Sequence, residues 1–214
     1  MKKFFFTVIV VVTLIFNFVS ETSGHGYVSN PPGRSSRWRT KRTAPVNYDD
    51  NGSNCGGFAN QWTTWKGKCG ICGDPYQDPV PRRNEIGGIY GGTGVIVASY
   101  TKGSVIEVTV KITANHLGKF IFDLCNLDEQ KESDECFEKY RLTTPDGRNE
   151  YPIGSSAGDY MVKLQLPKNL KCNHCVLRWT YICGNNWGWC PDGIGRLGCG
   201  PQENFRTCSD ISIA

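Results

Sequence analysis

Beyond its first 24 residues the chain has no apolar run of membrane length, so nothing would anchor it once that segment is removed. It also lacks a broad basic stripe. Its 24 Lys and Arg against 20 Asp and Glu give a formal charge of +4, and only Arg34, Arg37, Arg39, Lys41 and Arg42 cluster. A nucleic-acid groove needs more, which excludes nucleic acid as a partner. There is no G-x-S-x-G elbow, no H-E-x-x-H pair and no obvious nucleophile beside a histidine, so the familiar serine and zinc hydrolase patterns are absent. A glycosidase needs only two carboxylates, which sequence cannot place, and that class stays open. Internal repeats and low-complexity linkers are missing as well.

Residues 1–24 read as a secretory signal peptide. Lys2 and Lys3 form its basic end, Phe4 to Val19 is nearly all apolar, and Thr22 and Gly24 stand where a signal peptidase prefers small residues. Removing Lys2, Lys3 and Glu21 with it lowers the formal charge from +4 to +3. Residues 25–214 then form one domain, secreted and extracellular, with no membrane segment after cleavage. All 11 cysteines lie in that part, which predicts a disulfide framework with at least one thiol unpaired or paired to another molecule. Asn51-Gly52-Ser53 is a glycosylation sequon.

Several stretches alternate with period two. Ile106, Val108, Val110 and Ile112 alternate with Val105, Glu107, Thr109 and Lys111, and Phe120, Phe122 and Leu124 share one face. Tyr160, Val162, Leu164 and Leu166 form a third such row, and Cys175, Leu177, Trp179 and Tyr181 a fourth. Half-buried strands need a second sheet to cover them, and 25 glycines and 11 prolines punctuate the turns. These features predict an all-β fold, an antiparallel β-sandwich. From Pro31 to Gly94 the chain reads as a long disulfide-pinned excursion, with short helical turns around Phe58 to Trp65.

The three histidines carry the chemistry. Cleavage after Gly24 makes His25 the first residue, with a free α-amine and an imidazole on one residue, a ready metal chelate. His116 follows the strand ending near Ile112, where a side chain reaches a surface site. Two imidazoles and one amine make a T-shaped set of three nitrogens, suited to tetragonal Cu(II). His174 lies in Cys172-Asn173-His174-Cys175 and reads as an exposed residue without a metal role. A second C-x-x-C, Cys69 to Cys72, raises a zinc alternative, which disulfide pairing displaces in an exported chain.

His25-Gly26-Tyr27, Asn30 to Trp38, Pro45 to Asn51, Cys55-Gly56-Gly57-Phe58 and Gly67 to Asp74 form one set of motifs. Thr113-Ala114-Asn115-His116, Cys175 to Tyr181, Gly184-Asn185-Asn186-Trp187-Gly188 and Gly198 to Ile211 complete it. Together they span essentially all of residues 25–214, and through them the chain resembles the lytic polysaccharide monooxygenases, most of all auxiliary activity family fifteen. The resemblance implies an immunoglobulin-like sandwich with one copper ion on a flat surface, acting on crystalline chitin or cellulose with an external reductant and oxygen or hydrogen peroxide. His25 and His116 would be its metal ligands, and Phe205 would shield the axial side without coordinating. Ala114 would limit access to the opposite face, and Glu203 would stand close by. Tyr27, next to His25, is the candidate for docking on a sugar. Cys183 departs from the family's pattern and is the candidate odd cysteine. A monomer is expected. Two other readings stay open: a non-catalytic polysaccharide-binding matrix protein on this scaffold, and a secreted copper-handling protein.

Overall fold

The computed structural model describes residues 24–214, so the expected signal peptide lies outside the described residues apart from Gly24. Among the described residues no helix is long and apolar enough to cross a membrane. Two sheets face each other. The smaller joins β1 (His25–Asn30), β3 (Val105–Ala114) and β7 (Gly158–Gln165) in the order β1-β3-β7. The larger runs β2 (Ala98–Tyr100), β11 (Asn204–Ile213), β8 (Cys172–Ile182), β4 (Lys119–Asn126) and β5 (Tyr140–Arg141), with β6 (Tyr151–Pro152) pairing β4. A separate hairpin, β9 (Trp187–Trp189) and β10 (Gly195–Leu197), stands off the sandwich.

The alternation read from sequence is what closes the core. Ile106, Val108, Val110 and Ile112 of β3 point inward, as do Val162 and Leu164 of β7. They meet Phe120, Phe122 and Leu124 of β4 and Leu177, Trp179 and Tyr181 of β8. Phe120 is the centre of the aromatic cluster, edge-on to Trp179 at 5.4 Å and to Tyr181 at 5.3 Å. Burying one such side chain is worth about 1.5–3 kcal/mol. One departure from the purely antiparallel expectation is the parallel pairing of β2 with β11.

The second face of β8 is buried too. Val176 packs with Phe137 of α1 (Asp134–Glu138), while the Arg178 guanidinium lies 4.1 Å over the Phe137 ring and bonds Asp134 and Asp123. Ser133 caps α1 by accepting the Cys136 N–H.

The long excursion folds onto this outer face. Five disulfides form: Cys55–Cys69, Cys72–Cys208, Cys125–Cys136, Cys172–Cys175 and Cys190–Cys199, leaving Cys183 free and buried. The two C-x-x-C pairs therefore build no zinc site. A single irregular helical turn, Ala59–Thr64, falls within the expected helical stretch. Arg34 is buried and forks onto Asp210 at 2.7–2.8 Å while reaching Glu132 at 2.7 Å. His174 departs from expectation: it is half-buried, with its Nε2 2.8 Å from Asp210 Oδ1 at the edge of this cluster.

Candidate copper centre

His25 opens β1 opposite Ala114 of β3, two residues before His116. Three bonds hold that register. Gly26 N–H donates to the Asn51 carbonyl at 3.0 Å, Asn51 Nδ2 donates to Thr113 Oγ1 at 2.9 Å, and Thr113 Oγ1 donates to the His25 carbonyl at 3.3 Å. A Cβ at Gly26 would lie 2.7 Å from Ile112 Cδ1 and 3.1 Å from the Lys111 carbonyl, so a side chain there would have to push Ile112 aside. The sequon asparagine is thus a latch on the first strand.

His116 sits in the β3–β4 turn and is held by both of its backbone groups. Its N–H donates to Tyr181 Oη at 2.8 Å, and its carbonyl accepts the Gly184 N–H at 2.8 Å. The tight return at Gly118 (φ +90°) brings the chain so close to β8 that a Cβ would meet the Ile182 carbonyl at 2.1 Å. His116 is only 8 % exposed, yet neither ring nitrogen has a hydrogen-bond partner. Buried polar atoms are rarely left so.

Phe205 enters from β11, opposite Tyr181, and is fully buried. Its ring stacks on Tyr181 at 5.9 Å and lies 6.2 Å from the His25 ring. Gly24 is wedged among the same groups: a Cβ on it would lie 3.1 Å from His116 Cγ and Nδ1 and 3.2 Å from Phe205 Cε2. His25, His116 and Phe205, scattered over the sequence, therefore converge at one end of the sandwich. Glu203 joins them, its Oε2 3.6 Å from His116 Nδ1 and its Oε1 accepting from Asn54 Nδ2 at 3.1 Å. Burial raises its carboxyl above the ordinary range, against lowering by Asn54 and His116. Burial likewise pushes up the Cys183 thiol and the Tyr181 hydroxyl.

Beside this cluster stands the β9–β10 hairpin. Gln202, next to Glu203, clamps its base by donating to the carbonyls of Asn186 and Cys199 and accepting from the Asn186 N–H. The hairpin carries Trp187 and Trp189, 59 % and 68 % exposed and in edge-to-face contact at 5.3 Å. Tyr27, expected to dock on sugar, is instead buried at 8 %, with the Arg39 guanidinium 4.9 Å over its ring. Arg39 is itself fixed by the buried Asp50 carboxylate, so little of the Tyr27 face is open for stacking.

The family described as lytic polysaccharide mono-oxygenase, cellulose-degrading, matches residues 25–211. The chain belongs to the lytic polysaccharide monooxygenases. A monooxygenase of auxiliary activity family fifteen from Thermobia domestica, solved in the Cu(I) state, is 47 % identical, with TM-score 0.85 over 89 % of this chain and 99 % of that one. Two bacterial monooxygenases share the fold alone. The auxiliary activity family ten member from Streptomyces lividans is 13 % identical with TM-score 0.57, over 88 % of this chain and 99 % of that one. A catalytic domain from Listeria monocytogenes is 11 % identical with TM-score 0.53, over 89 % and 99 %. Among curated protein sequences nothing matches. The protein is thus a copper-dependent monooxygenase of polysaccharides with a single copper site, and the orphaned nitrogens of buried His116 fit a metal ligand. Sequence reasoning missed Tyr181 as the anchor of His116 and the place of Cys183 beside it. The inward alternation of β8 was a usable signal for Tyr181.

Proposed function

We propose that this monooxygenase is secreted, that its leader ends at Gly24, and that it acts on crystalline chitin, with the copper held by His25 and His116. Support for the leader boundary comes from the family match, which begins at His25. Release of the amine is essential to the chelate. While Gly24 is attached, the first nitrogen is an amide, and Gly24 fills the space between His116 and Phe205. Once released, the amine and ring of His25 and the ring of His116 offer three nitrogens, the donor set of a tetragonal copper site.

When bound, copper supplies the redox chemistry by which a reductant and oxygen or hydrogen peroxide oxidise a C–H bond at the glycosidic carbon. The chain's own residues position and protect. Tyr181 and Gly184 fix the His116 backbone. Phe205 closes one side with a ring that has no donor oxygen and excludes water there. Glu203 offers a carboxyl beside His116 as a proton acceptor or donor.

The observation that carries the docking reading is the exposed aromatic pair Trp187 and Trp189 on a hairpin clamped beside Glu203. On the β1 side Tyr48 is 89 % exposed, near Asn51, which holds Gly26. Exposed rings of this kind suit the apolar faces of sugars in an ordered polysaccharide surface.

The test incubates copper-loaded mature protein with crystalline chitin and, separately, cellulose, with and without ascorbate, and reads soluble products by mass spectrometry. Oxidised chito-oligosaccharides that need the reductant support the proposal. Oxidised cello-oligosaccharides alone move the substrate to cellulose. With copper bound, absence of both would overturn either substrate.

A further inference from the structure

Ten of the cysteines are paired and one, Cys183, is free and buried. Its place is unusual. One ligand atom each from Cys183, His116 and Glu203 lies within 4.8 Å of the other two, and all three residues are buried. The other such group among the described residues, Cys72, Glu132 and Cys208, has its sulfurs joined in a disulfide and offers no thiolate.

The His116–Glu203 spacing within the first group fits a small tetrahedral ion. His116 Nδ1 and Glu203 Oε2 are 3.6 Å apart, too far for a hydrogen bond. Bonds of about 2.0–2.2 Å to nitrogen and carboxylate oxygen place two such ligand atoms on one tetrahedral ion about 3.3–3.6 Å apart. His116 is buried with neither ring nitrogen partnered, so a nitrogen is available toward Glu203 and Cys183. The Tyr181 hydroxyl fixes the His116 backbone by accepting its N–H at 2.8 Å, the kind of outer support that orients a ligating imidazole.

We propose that His116, Cys183 and Glu203 form a thiolate-containing metal site for a soft or borderline divalent ion of the zinc and cadmium class, which competes with the copper site for the His116 imidazole. The competition follows from the ring's chemistry. A neutral imidazole offers one lone pair while its other nitrogen keeps the proton, so one ion holds it at a time. An N, S, O set selects zinc-like ions, whereas the all-nitrogen set with His25 selects Cu(II). On ligation the thiol proton leaves to solvent.

The site also has an entry path. Gly24 lies against the His116 ring, where a Cβ on it would be 3.1 Å from Cγ and Nδ1. Cleavage after Gly24 uncovers the His116 ring.

The inference rests on the copper reading only for the sharing of His116. It is tested on copper-free mature protein, so its failure leaves the monooxygenase reading standing. Cadmium is titrated without thiol reductant, keeping the disulfides closed, and the ultraviolet thiolate-to-cadmium charge-transfer band is followed. Wild type should develop the band to one equivalent, and protein preloaded with Cu(II) should not. Cys183→Ser and His116→Ala should each abolish it, with Cys183→Ala as the second cysteine variant and circular dichroism confirming that each is folded. Cadmium bound at the nitrogen site gives no such band. Absence of the band in wild type, its survival in Cys183→Ser or His116→Ala, or its appearance with copper still bound would overturn the proposal.

Discussion

Replacing Phe205 separates its packing role from its role toward the metal. The ring is fully buried, stacked on Tyr181 at 5.9 Å and 6.2 Å from the His25 ring. Truncation to alanine removes that packing and leaves a cavity bounded by β11 and β8, whose backbones cannot collapse inward. A Phe→Ala change in such a site costs about 3–5 kcal/mol. At about 2–4 °C per kcal/mol for a domain of this size, copper-free Phe205→Ala should melt about 6–20 °C lower. Phe205→Tyr keeps the volume and adds one buried hydroxyl, which without a partner costs about 1–3 kcal/mol. If the ring edge faces the copper, that hydroxyl gains a partner when the metal binds. The copper-induced rise in Tm should then be larger in Phe205→Tyr than in wild type. The assay is scanning calorimetry of each protein with and without one equivalent of Cu(II). A fall below about 3 °C for Phe205→Ala would refute the packing argument, and an unchanged copper-induced rise in Phe205→Tyr would refute the axial placement.

Retaining Gly24 ahead of His25 removes one of three nitrogens and leaves the wedge between His116 and Phe205 in place. Copper affinity by isothermal titration should fall by more than the roughly 10–100-fold that losing a supporting outer group costs. Trp187→Ala combined with Trp189→Ala should weaken retention on the insoluble polysaccharide by about tenfold, at about 0.5–1.5 kcal/mol per ring, with copper affinity unchanged. Pull-down isotherms read this, and wild-type retention would remove the hairpin from the docking face. Asp74 is held at a pKa of about 6 by burial, despite hydrogen bonds from Asn84. Its native pKa lies above the unfolded value, so its contribution is full below about pH 4 and is lost as pH rises through 6. Urea unfolding should show stability falling by on the order of 2–3 kcal/mol across that window, and Asp74→Asn should flatten the slope.

Much of this protein was legible in its residues because the signals are local. The leader proposed to end before His25 would define a chelate within one residue, needing no fold to bring its amine and ring together. Period-two alternation in Val105–Ile112 and Cys175–Ile182 names the inward faces, because a strand's side chains must point to opposite sides. An odd cysteine count requires at least one thiol unpaired or paired to another molecule. Tertiary structure alone decided which groups meet across the sheets. Cys72 pairs with Cys208 across 136 residues, and the half-buried His174 meets Asp210. Arg39 covers Tyr27, and Glu203 and Cys183 close on His116. These depend on the register between β8 and β11 and on how the long loop folds over them, which packing of the whole core sets and no local pattern encodes.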